Sequence, residues 1–116
     1  GVFALAGSEV KSSAVHAVTI RDGLSILRRA QTAKFQSDTL SPNEISAQVN
    51  SADMSVGNGM IASGLAGNAC LEAEWKDAYQ AALVTKGAVL IFRREGNALV
   101  VINRAAGQVF FARGDV

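Results

Sequence analysis

The chain has very few of the residues that build metal sites and covalent cross-links. Its 116 residues include one cysteine, one histidine and one proline. Cys70 alone cannot close a disulfide within the chain, and it cannot supply a cysteine-rich zinc site. His16 alone excludes a histidine-rich metal site. The folded state must therefore depend on an apolar core or on assembly with neighbouring subunits.

Catalytic constellations are equally hard to assemble from these residues. His16 as a general base would need a nucleophile and an orienting carboxylate. Cys70 is the only thiol, and Asp22 or Asp77 would be the orienting groups. Nothing in their spacing brings them together. We therefore expect a protein that is not an enzyme, with no catalytic residues, no metal and no cofactor.

The charge balance argues against a nucleic-acid partner. Eleven Lys and Arg residues against ten Asp and Glu residues leave a formal net charge of +1. Four arginines lie near phenylalanines in the C-terminal segment. Such a combination can form a surface that binds single-stranded nucleic acid. Because the net charge is nearly neutral, we interpret these arginines instead as charges at the edges of a sheet, which discourage association with other chains. These four arginines are Arg93, Arg94, Arg104 and Arg113.

The glycines of the middle segment do not predict a nucleotide site. Gly57-Asn58-Gly59 resembles a dinucleotide-binding loop only superficially, because that loop needs a preceding strand and a following helix. We expect no small-molecule substrate. We predict that the stretch containing Gly57, Gly59, Gly64 and Gly67 is irregular surface structure, with apolar side chains tucked in.

Length and composition predict a single domain over residues 1–116. Apolar residues make up 49 % of the chain and the mean hydropathy is +0.22, which is enough for one core. The apolar run at residues 2–6 is far shorter than the ~20 residues that cross a bilayer. Residues 1–7 are either the remnant of a trimmed or processed hydrophobic segment, or an ordinary first turn or strand. The sequence leaves both open.

The first long segment, Ser8 to Gln36, has the pattern of a helix. Ala17, Ile20, Leu24 and Leu27 recur at intervals of three and four, which places them on one helical face. Gly23 and the β-branched residues around it weaken an isolated helix. Such a helix would need support from tertiary packing or from another subunit.

The remaining segments predict two further helices and three strands. Ser41, Pro42 and Glu44 form a capping box that starts a helix over Pro42 to Ala52. Apolar spacing favours a helix from Cys70 to Thr85. The predicted strands, joined by short turns, are Ala88–Arg93, Ala98–Asn103 and Gln108–Ala112. Short connections require antiparallel pairing. The predicted fold is α+β: a long N-terminal helix packed on a C-terminal antiparallel meander of three or more strands.

This order of elements resembles a type IV pilin or pseudopilin. The resemblance covers the whole chain and is architectural. It implies that Val2 to Leu5 end a membrane segment, and that Ser8 to Gln36 are the half-helix on the globular head. Ser37 to Cys70 would then be the variable region and Ala88 to Ala112 the sheet.

Two functions follow as hypotheses. The resemblance implies a non-catalytic subunit of an extracellular or envelope filament, whose partners are copies of itself or related subunits. It would contact a membrane only through a segment that precedes this chain. The alternative is a small, oligomeric binding or regulatory domain, located in the cytoplasm, that acts on a protein partner.

The filament hypothesis predicts an assembly face on the N-terminal helix. One sheet face can cover the apolar stripe, but Val15, Val18 and Ile26 lie off it. We expect this second side to be covered by the glycine-rich segment or by another subunit. The candidate assembly residues are Ala17, Val18, Ile20, Leu24, Ile26 and Leu27.

Overall fold

The computed structural model describes residues 14–113 and has the predicted α+β class. The helices are α1 (Ile20–Arg28), α2 (Pro42–Ala52), α3 (Met54–Cys70) and α4 (Ala73–Leu83). The strands are β1 (Ala14–Ala17), β2 (Thr32–Phe35), β3 (Val89–Arg93), β4 (Ala98–Asn103) and β5 (Gln108–Arg113). A short 3-10 turn, Glu95–Asn97, joins β3 to β4.

The strands form one five-stranded mixed sheet in the order β1-β2-β3-β4-β5. β1 and β2 are parallel, with α1 as the connection between them, and the other neighbours are antiparallel. The predicted three-stranded meander is thus part of a larger sheet, because β1 and β2 extend it on one side. The three C-terminal strands begin and end within one residue of the predicted positions.

The main core lies between the helices and one face of the sheet. Leu24 and Leu27 of α1 meet this core, as do Ile45 and Val49 of α2. The sheet contributes alternate residues, as period-two strands require. These sheet residues are Ala17, Ala33, Phe35, Leu90, Phe92, Leu99, Val101, Phe110 and Ala112.

The opposite sheet face carries a second buried cluster. Val89, Ile91, Ala98 and Val100 are all buried there, and no described helix contributes a residue to their cluster. Burial on both faces explains why β3 and β4 are apolar at nearly every position instead of alternating.

The prediction of a long N-terminal helix is wrong over residues 14–36, which contain β1, α1 and β2 instead. Thr19 starts α1, since its hydroxyl accepts a hydrogen bond from the Asp22 amide at 3.0 Å. The Asp22 carboxylate in turn accepts one from the Val18 amide at 2.9 Å. This Thr19–Asp22 exchange, similar to a capping box, ends β1 and begins a separate helix. The predicted start at Ser8 lies outside the described residues.

Helix α2 confirms the predicted range and its capping box. The Ser41 hydroxyl accepts from the Glu44 amide at 3.3 Å, and the Glu44 carboxylate accepts from the Ser41 amide at 3.1 Å. The Ser41 backbone and hydroxyl donors favour the charged form, so the pKa of Glu44 lies below its usual range.

The prediction that the glycine-rich segment is irregular is also wrong, because all four of its glycines lie within helix α3. These glycines are positions where α3 lies close to neighbouring elements, and they do not form loops. A Cβ at Gly59 would lie 2.8 Å from the side-chain oxygen of Asn97, and one at Gly67 would lie 2.7 Å from the Cβ of Ala112. Helix α3 therefore packs closely against the Asn97 and Ala112 side chains, and a side chain at Gly59 or Gly67 would force these groups apart.

Helix α4 begins and ends within three residues of the prediction. Glu72 occupies the N-cap without a side-chain cap bond, and Val84 ends the helix. Within the described part of the chain, no helix is both long enough and apolar enough to span a bilayer.

Candidate functional site

A cleft of about 380 Å³ opens between α2, α3 and α4, on the helical side of the sheet. That volume lies within the range of small binding pockets, roughly 300–1,000 Å³. Its floor is Met60 of α3 with Leu90 and Leu99 of the central strands. Its walls are lined by Asn43, Ser46, Ala47, Ile61, Gly64, Leu65, Gln80 and Leu83.

A hydrogen bond between Tyr79 and Gly64 joins two helices that form the walls of the cleft. The Tyr79 hydroxyl donates to the Gly64 carbonyl at 2.9 Å, which fixes α4 against α3. Its ring packs against Phe110 of β5, with the ring centroids 5.2 Å apart. Burial raises the pKa of Tyr79 to about 12, so this hydroxyl keeps its proton.

A second contact holds α3 on the strands that form the floor. Ser63 is fully buried, and its hydroxyl oxygen lies 2.7 Å from the carbonyl oxygens of both Gly59 and Asn97. Asn97 belongs to the turn between β3 and β4. The hydroxyl thus ties the middle of α3 to the strand pair under the cleft.

The corner between α2 and α3 sets the angle of the two walls. Asp53 ends α2, and its carboxylate accepts from the Val56 amide in the first turn of α3 at 3.3 Å. Arg28, at the end of α1, donates to the same carboxylate at 2.9 Å. The Arg28 side chain, and then the Val56 amide, hold the pKa of Asp53 below its usual range. A Cβ at Gly57 would overlap the backbone of Asn50, so glycine is what allows the helices to meet this closely.

The chemistry of the lining is that of an apolar binding surface. Asn43, Ser46 and Gln80 supply two amides and a hydroxyl, and every other lining residue is apolar or glycine. None of the lining side chains is ionisable. Such a cleft can bury apolar groups and orient them with a few hydrogen bonds, but its lining offers no acid, base or charged electrophile.

Exposed apolar side chains continue from the lip of the cleft. On α3, Ile61 is 40 % exposed and Leu65 is 68 % exposed. Met54 extends the same helical face toward the α2–α3 corner, since it precedes Ile61 by seven residues. Large apolar side chains grouped on one surface indicate an interaction site, whereas isolated ones do not. α4 and its C-cap carry two further exposed apolar residues, Trp75 and Val84.

No family model matches this chain, and no curated protein or solved structure is significantly similar to it. The geometry and chemistry of the cleft are therefore what indicate a function.

The structure does not bring the six candidate assembly residues together on one exposed surface. Four of them are buried inside the protomer: Ala17, Leu24, Ile26 and Leu27. Val18 is exposed, and Ile20 is half-buried beside a shallow depression on α2. Ile26 was predicted to lie on the uncovered side of a long helix. It is buried in the main core because α1 is a short helix that packs on the sheet.

His16 and Cys70, the imidazole and the thiol considered for catalysis, lie on elements at opposite edges of the described sheet. His16 is in β1, at one edge of the sheet. Cys70 ends α3, which packs on β5 at the other edge. Five strands at ~4.8 Å spacing separate these edges by about 19 Å. Asp22 is engaged in starting α1. Within residues 14–113, no group of three or more potential metal ligands lies together.

The four arginines do not form one platform. Arg93 and Arg113 lie near the same end of the sheet, both paired in register with Ala98 of β4. Arg104 lies in the turn between β4 and β5, at the opposite end. Arg93 is engaged locally, because its Nε donates to the Glu95 carbonyl at 3.2 Å.

Sequence reasoning missed the cleft because it treated α3 as a loop. The signal that could have found it is the spacing of Met54, Ile61 and Leu65, at seven and four residues. That spacing predicts one face of a helix once the glycines are accepted within it.

Proposed function

We propose that this protein is a non-catalytic binding module that docks an amphipathic helix of a protein partner in the α2–α3–α4 cleft. The cleft takes one or two apolar anchor side chains of the partner. Ile61 and Leu65 cover the next turn of the partner's apolar face. The observation that carries this proposal is the continuity between an uncharged cleft and the exposed apolar side chains on its lip.

The length of this surface favours a helix over a small molecule. A small ligand is held mostly within a pocket, whereas Leu65 stands out from the cleft and is 68 % exposed. Met54, Ile61 and Leu65 span twelve residues of α3, and the eleven steps from the first to the last cover about 16 Å at the helical rise of ~1.5 Å per residue. A partner helix of about three turns matches that length.

The filament-subunit hypothesis stays a prediction. The pilin resemblance rests on a long N-terminal helix, and residues 14–36 form β1, α1 and β2. The binding-module hypothesis needs no such helix, which is why we propose it here.

A peptide selection tests the proposal. Helical peptides displayed on phage are selected on the wild-type chain and then counter-screened on Leu65→Lys. We expect selected peptides to carry apolar residues at helical spacing and to bind Leu65→Lys at least about tenfold more weakly, the equivalent of ~1.4 kcal/mol. The reason is that an ammonium group at this position would have to lose water against an apolar helix.

Val109→Lys is the matched control. Val109 is also an exposed apolar residue, but it lies on β5, on the sheet face opposite the cleft. The selected peptides should bind this variant as they bind the wild type. Peptides that bind Leu65→Lys as tightly as the wild type would overturn the proposal.

A further inference from the structure

Strand β5 is one edge of the described sheet, and Arg113 at its end is its one feature of the kind that protects a sheet edge from pairing with another chain. Its six residues pair one to one with β4, so it contains no bulge. Its four central residues, Val109-Phe110-Phe111-Ala112, include no charge, proline or glycine. Natural edges are usually blunted by charge, proline, bulges or shortness. The other edge of the described sheet, β1, has only four residues and carries His16.

The sheet face that carries Val89, Ile91, Ala98 and Val100 is buried at β3 and β4 but more exposed at β5. Val100 of β4 is fully buried, whereas its neighbour Phe111 is only half-buried. Val109, next to Ile102, is 52 % exposed. An added strand beside β5 would cover both side chains, because cross-strand neighbours on one face lie ~4.5–5.5 Å apart.

We propose that β5 pairs antiparallel with β5 of a second copy, around a two-fold axis at Phe111, and so joins two sheets into one. If the faces of the joined sheet match, residues directly opposite each other must lie on the same face. With the axis at Phe111, the two Phe111 rings are opposite each other. Val109 of each copy is then opposite Arg113 of the other.

The composition of β5 favours its own copy as the occupant. Antiparallel pairing of identical strands is self-complementary, as a two-fold interface requires. In this register the two Arg113 side chains are opposite valines and not opposite each other, so no like charges meet. The Phe111 pair adds an aromatic contact, and the added strand covers each Val109. This interface does not use the α2–α3–α4 cleft, so the inference is independent of the proposed function.

The mass in solution tests this pairing. We expect sedimentation equilibrium over about 1 μM to 1 mM to show a reversible dimer of the wild-type chain. Val109→Lys should raise the dissociation constant at least about tenfold, because the ammonium would be covered without a partner. Its melting temperature should change little at concentrations where the wild type is monomeric. Leu65→Lys, on the cleft side, should dimerise as the wild type does.

A monomeric wild type throughout this range would overturn the proposal. So would a dimer that Val109→Lys leaves unchanged, since another surface would then hold it.

Cysteine cross-linking tests the register. In a Cys70→Ser background, Phe111→Cys should form a disulfide-linked dimer on mild oxidation, because the two thiols are directly opposite. Val109→Cys, on the same strand and face, should cross-link far less. Each position 109 is opposite position 113, so the two substituted residues are about 13 Å apart along the strand. A disulfide needs Cα atoms ~4.4–6.8 Å apart. Equal cross-linking of both variants would contradict this register.

Discussion

At the scale of single residues, the environment decides the effect of a substitution more than the residue type does. Gly64 and Gly67 are three residues apart in α3 and both lie beside Tyr79. A Cβ at Gly64 would have only the Tyr79 hydroxyl near it, at 3.8 Å, an ordinary contact. A Cβ at Gly67 would lie 2.7 Å from the Cβ of Ala112 and 2.8 Å from the Tyr79 hydroxyl. A side chain therefore fits at Gly64 without a shift, whereas one at Gly67 would push its neighbours apart.

Gly64→Ala and Gly67→Ala should therefore change stability in opposite directions. Gly64→Ala should raise the free energy of unfolding by up to about 1 kcal/mol, because alanine is the better helix former. Gly67→Ala should lower it by about 1–3 kcal/mol, because the added methyl pushes α3 off β5. Urea unfolding of the two variants measures both effects. Equal effects would show that α3 does not pack this closely.

Ile26 and Val18 test whether the candidate assembly residues act inside the protomer. Ile26 is 1 % exposed, whereas Val18 is 80 % exposed. Ile26→Ala should destabilise the chain by about 2–5 kcal/mol through lost burial and a cavity. Val18→Ala should stay within about 0.5 kcal/mol. An Ile26→Ala effect that grew with protein concentration would point to an interface between subunits instead.

At the scale of elements, the end of α1 explains why one long helix was expected. The Gln31 amide donates to the Ile26 carbonyl and the Ala30 amide to the Leu27 carbonyl, the pattern of a Schellman motif. The left-handed residue of that motif is usually glycine, but here it is Ala30, with φ of 60°. Without a glycine, the sequence shows no end to the helix at this point.

Ala30→Gly should stabilise the protein. A non-glycine residue in the left-handed region costs roughly 1–2 kcal/mol, and the added flexibility of the unfolded chain offsets part of the gain. We expect a net gain of about 0.5–1 kcal/mol by urea unfolding. The same change at an exposed position within a helix, Ala81→Gly, should lose about 1 kcal/mol. A loss at both positions would contradict the left-handed conformation of Ala30.

Elements whose signals are local were predictable, and those set by tertiary packing were not. The capping box at Ser41 and Glu44 is contained in four residues, and it located α2. The short turns around Gly96 and Gly107 located β3, β4 and β5. Helix α3 depends on glycines that face Asn50, Asn97 and Ala112. The contacts with Asn97 and Ala112 join residues distant in sequence, and the contact with Asn50 crosses the corner between two helices, so no local pattern reports them. The cleft is a product of that packing and was missed with it.

At the scale of the whole molecule, carboxylates at two helix termini tie the helical layer together. Glu44 holds the start of α2. Asp53 joins the end of α1 to the corner between α2 and α3. The hydrogen-bond donors around them lower the pKa of both carboxyls in the folded state, below ordinary values of 4.5 and 3.8. The start of α2 and the α2–α3 corner are therefore stabilised more when these two carboxyls are charged.

The protein should consequently lose stability in acid. A carboxyl whose pKa is lower in the folded state stabilises the fold above its unfolded pKa. That contribution is lost as the pH falls through the folded value. Melting temperatures between about pH 7 and pH 3 should fall most steeply below the ordinary carboxyl pKa values. Asp53→Asn should flatten this fall. An unchanged profile in Asp53→Asn would show that its contact with Arg28 does not contribute.

The use of the cleft as a helix-docking site is tested most directly by the backbone amide spectrum of the isotope-labelled chain. The spectrum is recorded with and without a helical peptide selected as described above. We expect the largest shifts at residues 43–47, 61–65 and 80–83, which line the cleft, with β5 nearly unchanged. Shifts confined to β5 or to β1, with the cleft residues unmoved by a bound peptide, would contradict the account.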